Sequence, residues 1–469
     1  MRQERLPRFG ESLAVLIVCI LVLVGGILLF DMDTAVALLF ATIVLSLFGI
    51  KNGIPYKEIQ ASMIKSLGRT SQVLVILILV GALVGAMMAA GTIPYIIDIG
   101  LKSIRPIIFL PLVVFFCSIL SFCTGSSISV MFTLGVAFLG IAKGIGVPQP
   151  ITAGAVLCGA YFGDKQSPLS SFVAFSSSLC RVDLFKHIKN ELYTTIPATL
   201  GSMIIFFVMG LKYSGADSTG GLAESISIGL NDAFNLSAVT LVPLAVLMGL
   251  ILLKVPALPA IAFGAISASI VAVIYQGIPL SDAMSIMVHG YRTTSTMEFV
   301  VTMANRGGML SMAGTIITIA LALCMGGAMM RVKLMDVVMS RFASLFSKPR
   351  SLVIATVFTA FFGHYLMAQV MPAALLTANA FSKKYEDLGV DKCVLSRSIS
   401  DGALLSCPIV PWDPDGVCAM QAFGLATIAF APYYFFIWIT LLAACVCAIT
   451  GFGIKHYDYA LDPEKQRLS

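Results

Sequence analysis

Charge is scarce in this chain of 469 residues, where Asp, Glu, Lys and Arg together make up 12%. A water-soluble domain carries about 25% charged residues, so a soluble globular protein is excluded. No Gly-x-x-x-x-Gly-Lys-Ser/Thr phosphate loop occurs, which argues against an ATP-driven pump. No His-Glu metal motif occurs among the 4 histidines, so nothing points to an intramembrane metalloenzyme, and the chain is not read as an enzyme. The 11 cysteines lack metal-ligand spacing. Most of them, such as Cys19, Cys117, Cys158 and Cys447, lie inside apolar runs, where a thiol packs as a small hydrophobe. No small-residue cleavage site follows the first apolar run, which sits behind Arg2, Arg5 and Arg8 and reads as a retained signal anchor.

What is abundant is apolar surface: 58% of the residues are hydrophobic and the mean hydropathy is +0.96. Runs able to cross about 30 Å of hydrocarbon recur along the whole length. Spans are expected near Leu13–Phe30, Thr34–Ile50, Val73–Ala90, Ile107–Cys123, Ser126–Ala142, Thr195–Leu211, Leu236–Leu253, Pro256–Tyr275, Leu310–Met330, Leu352–Met367, Val370–Phe381 and Phe430–Gly451. Two segments, Thr152–Arg181 and Cys393–Phe423, are apolar but interrupted. The net charge of +6 calls for no nucleic acid partner, because the basic residues cluster in loops as the positive-inside rule requires. The lipid bilayer is the partner that this composition demands.

The two halves carry related sequences in the same order. Gly53-Ile54-Pro55 recurs as Gly277-Ile278-Pro279, with Glu58 and Met63 matched by Asp282 and Met287. Gly85 to Met88 recurs at Gly327 to Met330, Gly146-Val147 at Gly389-Val390, and Pro168 at Pro411. The loop after the first Gly-Ile-Pro is basic (Lys51, Lys57, Lys65, Arg69), whereas its counterpart holds only Arg292. Farther on the bias reverses, from Lys102 and Arg105 to Arg331, Lys333, Arg341, Lys348 and Arg350. Related sequences with opposite charge bias define an inverted-topology repeat.

The expected fold is therefore an all-α polytopic membrane protein, an inverted repeat with two interrupted (discontinuous) helices or re-entrant segments at a midplane site. Its divisions are an anchor span (1–33), a first repeat (34–211), a linker loop and connecting span (212–255), a second repeat (256–453) and a cytoplasmic tail (454–469). Asp217 and Glu224 of the linker fall outside, and both termini fall in the cytoplasm. Pro94–Ile104 reads as a short re-entrant piece, and Ser295–Gly308 as an insertion that the first half lacks.

The interruptions carry the polar chemistry. Cys158 to Ser171 places Asp164 and Lys165 ahead of Pro168, which cannot continue a helix. Ser396 to Gly416 holds Asp401, Asp413 and Asp415, and Asp413 shares a repeat register with Ser170. A carboxylate at the bilayer centre costs about 2.5 to 3.5 kcal/mol, and unwound backbone in a water-lined cavity offsets that cost. Asp164 with Lys165 is either part of such a site, a loop at the membrane surface or a fixed ion pair. Asp413 and Asp415 are either part of it or external and solvated. Thr124, Ser126 and Ser127 around Gly125 offer hydroxyl oxygens to a hard cation, or else satisfy helix backbone. In the second half the same place is taken by Gly363, His364, Tyr365 and Gln369, and His364 is either a proton carrier or a packed, hydrogen-bonded ring.

Gly163-Asp164-Lys165 followed by Ser167-Pro168-Leu169-Ser170 resembles the signature of the NhaC-type sodium/proton antiporters, within the larger ion transporter superfamily. Leu395-Ser396-Arg397, with Pro411-Trp412, is similar to that family's second-half elements. After Ser170 the family usually has Asp-Thr-Thr-Asn, where this chain has Ser171, Phe172, Val173 and Ala174.

The resemblance implies a secondary transporter of a bacterial inner membrane, a homodimer with no cofactor, using sodium and protons as coupling ions. Sodium is the only metal implied. It further implies that Asp164, Asp401 and Asp413 bind the ion or carry the proton. Thr124, Ser126, Ser127, Ser167, Ser170 and Ser171 would support them, with His364, Gln369 and Ser400 from the second half and Lys165 as the counter-charge that tunes Asp164. The alternative cargo is an amino acid or small organic acid coupled to sodium or protons, which the apolar Phe172 suits.

Overall fold

Apolar runs punctuated by Gly, Pro and Asp fold here into helices, and no extended strand occurs among the described residues of this computed structural model. Those residues are 5–103, 106–213, 219–253, 255–293, 295, 297, 301, 304–343, 346, 348–455 and 457. Arg2, Arg105, Gly215, Asp217 and the tail beyond 457 lie outside them.

The chain opens with α1 (Phe9–Ile20), which continues through Leu21–Gly25 and Gly26–Phe30. The first half then runs α2 (Thr34–Lys51), α3 (Tyr56–Ala89), α4 (Thr92–Ser103), α5 (Pro106–Thr124), α6 (Ser127–Gly144), α7 (Gln149–Gln166), α8 (Ser171–Leu179) and α9 (Leu184–Leu211). After α10 (Thr219–Ala233) and α11 (Val242–Leu252) come α12 (Ala257–Ile274), α13 (Leu280–His289), α14 (Ala313–Val332) and α15 (Leu334–Ala343). The chain closes with α16 (Pro349–Met367), α17 (Val370–Asp387), α18 (Lys392–Ile399), α19 (Pro414–Phe423) and α20 (Phe435–Thr450).

Among the described residues, seven helices are long and apolar enough to cross a membrane, including α2, α5, α6, α9 and α16. Three bent pairs pass the same test: Glu224–Ala233 with Ala238–Leu250 (85°), Lys392–Ile409 with Pro414–Phe423 (42°) and Thr427–Tyr433 with Phe435–Thr450 (52°). Large apolar side chains stand exposed on the outer faces of α2 (Phe40, Leu47), α5 (Phe115, Ile119), α9 (Ile204, Val208) and α20 (Leu442, Ile449). Water would not tolerate such faces and lipid does, so this is a polytopic integral membrane protein.

Boundaries differ from expectation where a polar cap outranks the apolar run. The span expected from Thr195 begins at Leu184, because Asp183 accepts from the amides of Phe185 and Lys186 at 3.1 and 3.0 Å. This puts His187 and Glu191 inside a 28-residue helix rather than in a loop. The stretch after Pro55 fuses with the next span into α3, 34 residues long. The last span is broken at Tyr434. Small residues let helices meet backbone to backbone: a Cβ on Gly163 would lie 2.2 Å from the Phe122 amide, which is how α7 seats against α5.

Candidate functional site

Two turns of irregular backbone face each other in the first half. Between α5 and α6, Gly125 adopts φ +64° and Ser126 is extended, its Oγ accepting from the Ser129 amide at 3.3 Å. Between α7 and α8, Ser167 Oγ accepts from the Leu169 amide at 3.1 Å, which turns the chain around Pro168. The turns touch, since a Cβ on Gly125 would stand 2.6 Å from the Leu169 carbonyl carbon. Only glycine fits that approach and that φ.

This contact delivers two hydroxyls to one carboxylate. Ser127 Oγ donates to Asp164 Oδ2 at 2.8 Å, and Ser170 Oγ donates to Asp164 Oδ1 at 2.7 Å. Asp164 is 9% exposed, and what exposure it keeps opens into a cavity of about 230 Å³.

The second half supplies the opposite wall. Asp413 caps α19 by accepting from the Asp415 amide at 2.8 Å, which turns both carboxylates inward. His364 Nε2 lies 2.8 Å from Asp413 Oδ2, and its Nδ1 lies 2.7 Å from Ser406 Oγ. Tyr161, one turn before Asp164 on α7, donates to Asp415 Oδ2 at 2.6 Å and so ties the halves together. Asp413 is 2% exposed rather than solvated. Cys407 Sγ completes a cluster with His364 and Asp413 whose ligand atoms lie within 4.8 Å of one another. The ring nitrogen facing the metal position is already committed to Asp413, so the cluster is a hydrogen-bonded one.

Three carboxylates, Asp164, Asp413 and Asp415, line this cavity with Ser126, Ser127, Ser171, Gln369 and Phe172, and among the described residues no Lys or Arg does. A second cavity of about 400 Å³ shares Gly125, Ser126 and Ser171 with it and is walled by Thr124, Thr133, Phe132, Leu247 and Ile261. Among the described residues its lining carries no charge.

Lys165 and Asp401 do not reach this cavity. Successive helical residues point about 100° apart, so Lys165 faces the far side of α7. There its Nζ lies 2.5 Å from Asp401 Oδ1 and 3.0 Å from Thr194 Oγ1, and Thr194 donates to the same Asp401 oxygen at 2.9 Å. The expected role of Lys165 as counter-charge to Asp164 is thereby corrected: its partner is Asp401. Ser400 Oγ is buried without a hydrogen bond, and Gln369 donates to the Leu323 carbonyl at 3.1 Å.

Tyr161, Thr194, His187 and Glu191 escaped the sequence reading, and Asp415 was seen without being chosen. Tyr161 lies three positions before Asp164, on one helical face. The spacing of His187 and Glu191, i and i+4, was visible, but the expected start of that span hid it.

Comparison with known proteins adds a second line of observation. The profile of the Na+/H+ antiporter family matches residues 159–452. The chain is 31% identical over 459 residues to the malate-2H+/Na+-lactate antiporter of Bacillus subtilis (strain 168), covering 98% of this chain and 97% of that protein. It is 28% identical over 443 residues to the Na+/H+ antiporter NhaC of the same organism, covering 94% and 97%. It is 29% identical over 468 residues to the arginine/ornithine antiporter ArcD of Halobacterium salinarum, covering 98% and 95%.

Proposed function

The chain belongs to the Na+/H+ antiporter family, and from that premise we propose that it exchanges sodium for protons at the cavity shared by Asp164, Asp413 and Asp415. The observation that carries this reading is a cavity lined by three carboxylates and, among the described residues, no basic side chain. Such a lining attracts a small cation or a proton. Sodium is a hard ion that takes oxygen ligands, and Asp164 with Ser127 and Ser170 supplies three of them. The hydroxyl hydrogens that now point at the carboxylate can rotate away, turning lone pairs to a bound ion. When Asp164 is protonated its charge is cancelled and the ion is released. One carboxylate that holds either sodium or a proton enforces exchange, provided that the cavity opens to one side at a time.

Alternating access of that kind fits a pair of inverted repeats, 34–211 and 256–453. Supporting it, the break at Gly125-Ser126 and the break at Ala368-Gln369 share one conformation, φ +64° and +53° followed by extended residues at −144° and −148°. Packing is reciprocal as well. A Cβ on Gly85 would meet the Ile286 carbonyl at 2.9 Å, and one on Gly327 would meet the Ser62 carbonyl at 2.7 Å. Positions 62 and 286 correspond in the repeat, so each half makes the contact that the other makes, as a two-fold axis requires.

A second reading rests on the larger cavity beside the first. It is large enough for a small organic acid or amino acid, and relatives carry malate, lactate, arginine or ornithine in their names. In this reading a substrate carboxylate is met by the bound sodium itself, since the described lining of both cavities holds no basic residue.

Proteoliposomes holding a pH gradient separate the two. Under the first reading, added sodium collapses the gradient and Asp164→Asn abolishes the response. No response to sodium in the unmutated protein, together with sodium-dependent uptake of labelled malate, lactate or arginine, would overturn it in favour of the second.

A further inference from the structure

A second group of ionisable side chains lies behind the sodium cavity, on the far face of α7. Its centre is Glu191 on α9, which is fully buried; the Ser400 hydroxyl lies beside it, but neither carboxyl oxygen has a hydrogen bond of ordinary geometry. His187, one turn earlier on the same helix, brings Nε2 to 3.2 Å from Oε1. Around Glu191 stand Lys165 from α7, Arg397 from α18, and Asp401 and Ser400 from the turn that follows. Neither cation forms an ion pair with Glu191. Lys165 is committed to Asp401 and Thr194. Arg397 donates to the carbonyls of Asn190 and Gly453, at 3.5 and 3.2 Å, and lies over the Tyr193 ring.

A buried carboxylate without a well-aligned donor is unfavourable against its neutral acid. The acid form of Glu191 has a use for its hydrogen, because it can donate to His187 Nε2. That ring is arranged to accept and pass a proton: Nδ1 lies 2.8 Å from Ser396 Oγ and Nε2 lies 3.0 Å from Ser176 Oγ. A hydroxyl donates or accepts by rotating, and Ser396 has the Cys393 carbonyl at 3.1 Å as its other partner. With the rotatable Ser176 and Ser396 hydroxyls as partners the imidazole can gain or lose a proton and keep both hydrogen bonds; Nε2 has one lone pair, so a proton from Glu191 reaches it in place of the Ser176 hydroxyl.

An approach is open as far as Asn190. A cavity of about 310 Å³, lined by Lys186, Lys189, Asn190, Tyr193, Asp391 and Lys455, ends at Asn190, whose carbonyl accepts from Arg397; Glu191 does not line it. Asn190 Oδ1, on the cavity wall, and Arg397 Nη2, behind it, are buried without partners, and bare polar groups of that kind are where ordered water sits.

We propose that Glu191 and His187 hold and pass a transported proton at a site separate from the carboxylate that binds sodium. This rests on the sodium/proton reading and adds to it a second proton position, approached from the Asn190 cavity. In the step, the O–H bond of Glu191 breaks and its proton goes to His187 Nε2; no electron is transferred.

The test is Glu191→Gln, which keeps the shape and removes the exchangeable carboxyl proton. Three quantities are measured on reconstituted protein: sodium binding by calorimetry, exchange of labelled for unlabelled sodium at symmetrical pH, and sodium uptake driven by a pH gradient. The expected result is a fall of about 100-fold or more in gradient-driven uptake, with sodium binding and sodium-for-sodium exchange retained, and recovery of gradient-driven uptake in Glu191→Asp. His187→Gln should show the same selective loss and carries the test if E191Q does not assemble. Wild-type gradient-driven uptake with an unchanged pH profile in E191Q overturns this inference alone. So does equal loss of all three quantities in a folded variant, which is the mark of a structural role. Absence of gradient-driven sodium uptake in the unmutated protein overturns the sodium/proton reading and this inference with it.

Discussion

Replacing Lys165 by Met should destabilise the protein, and most of that loss should be recovered by a second substitution. Lys165 and Asp401 have side chains 0% and 1% exposed, with Nζ 2.5 Å from Oδ1. Lys165→Met keeps the length and bulk of the side chain but strips Asp401 of its cation. Asp401 then retains only the Thr194 hydroxyl on Oδ1 and nothing on Oδ2. Removing one partner of a buried ion pair costs about 3–5 kcal/mol, while replacing both partners with apolar residues of similar volume is about neutral. K165M should therefore lose about 3–5 kcal/mol of unfolding free energy, and K165M combined with Asp401→Leu should regain most of it. The assay is reversible denaturant unfolding in mixed micelles, run as a double-mutant cycle. A K165M variant within about 1 kcal/mol of the unmutated protein, the range of an exposed pair, would refute the reasoning. So would a double variant that loses the sum of the two single losses.

Ser127→Ala and Ser170→Ala each remove one hydroxyl from Asp164. Each should weaken sodium binding about fivefold, equivalent to about 1 kcal/mol, as read by calorimetry; unchanged affinity in both would remove the serines from the ion shell. The pH dependence follows from competition for one carboxylate. A proton displaces sodium, so the apparent sodium affinity should fall as pH falls, by about tenfold per pH unit on the acid side of the midpoint, and level off above it. Sodium titrations across pH that gave one constant affinity would show that proton and ion do not share Asp164.

Much of the site was legible because carboxylates and prolines inside apolar runs are conspicuous. Asp164, Ser127, Ser170 and Asp413 were named from such breaks, and they line one cavity or bond to a residue that does. Lys165 was misread because adjacency in sequence was taken for adjacency in space. On a helix it means the reverse, so Asp164 faces the cavity and Lys165 faces Asp401. Glu191 was missed for a different reason: a window of hydropathy stops at the first charged residues, whereas the helix starts where Asp183 caps it.

Composition by itself determined that the chain crosses a membrane, since too little charge is present to cover a soluble surface, and the spacing of apolar runs located most of the helices. Motif and charge bias pointed to a secondary transporter with polar breaks in both halves. What only the tertiary structure decided is which of those polar groups meet. The approach of Gly125 to Leu169, the capping of α19 by Asp413 and the reach of Tyr161 to Asp415 are contacts between segments far apart in the chain. They gather Asp164, Asp413 and Asp415 on one side of α7 and leave Lys165, Glu191 and Asp401 on the other. No local pattern encodes that division, because it depends on the direction in which each helix presents its side chains to neighbours placed by packing.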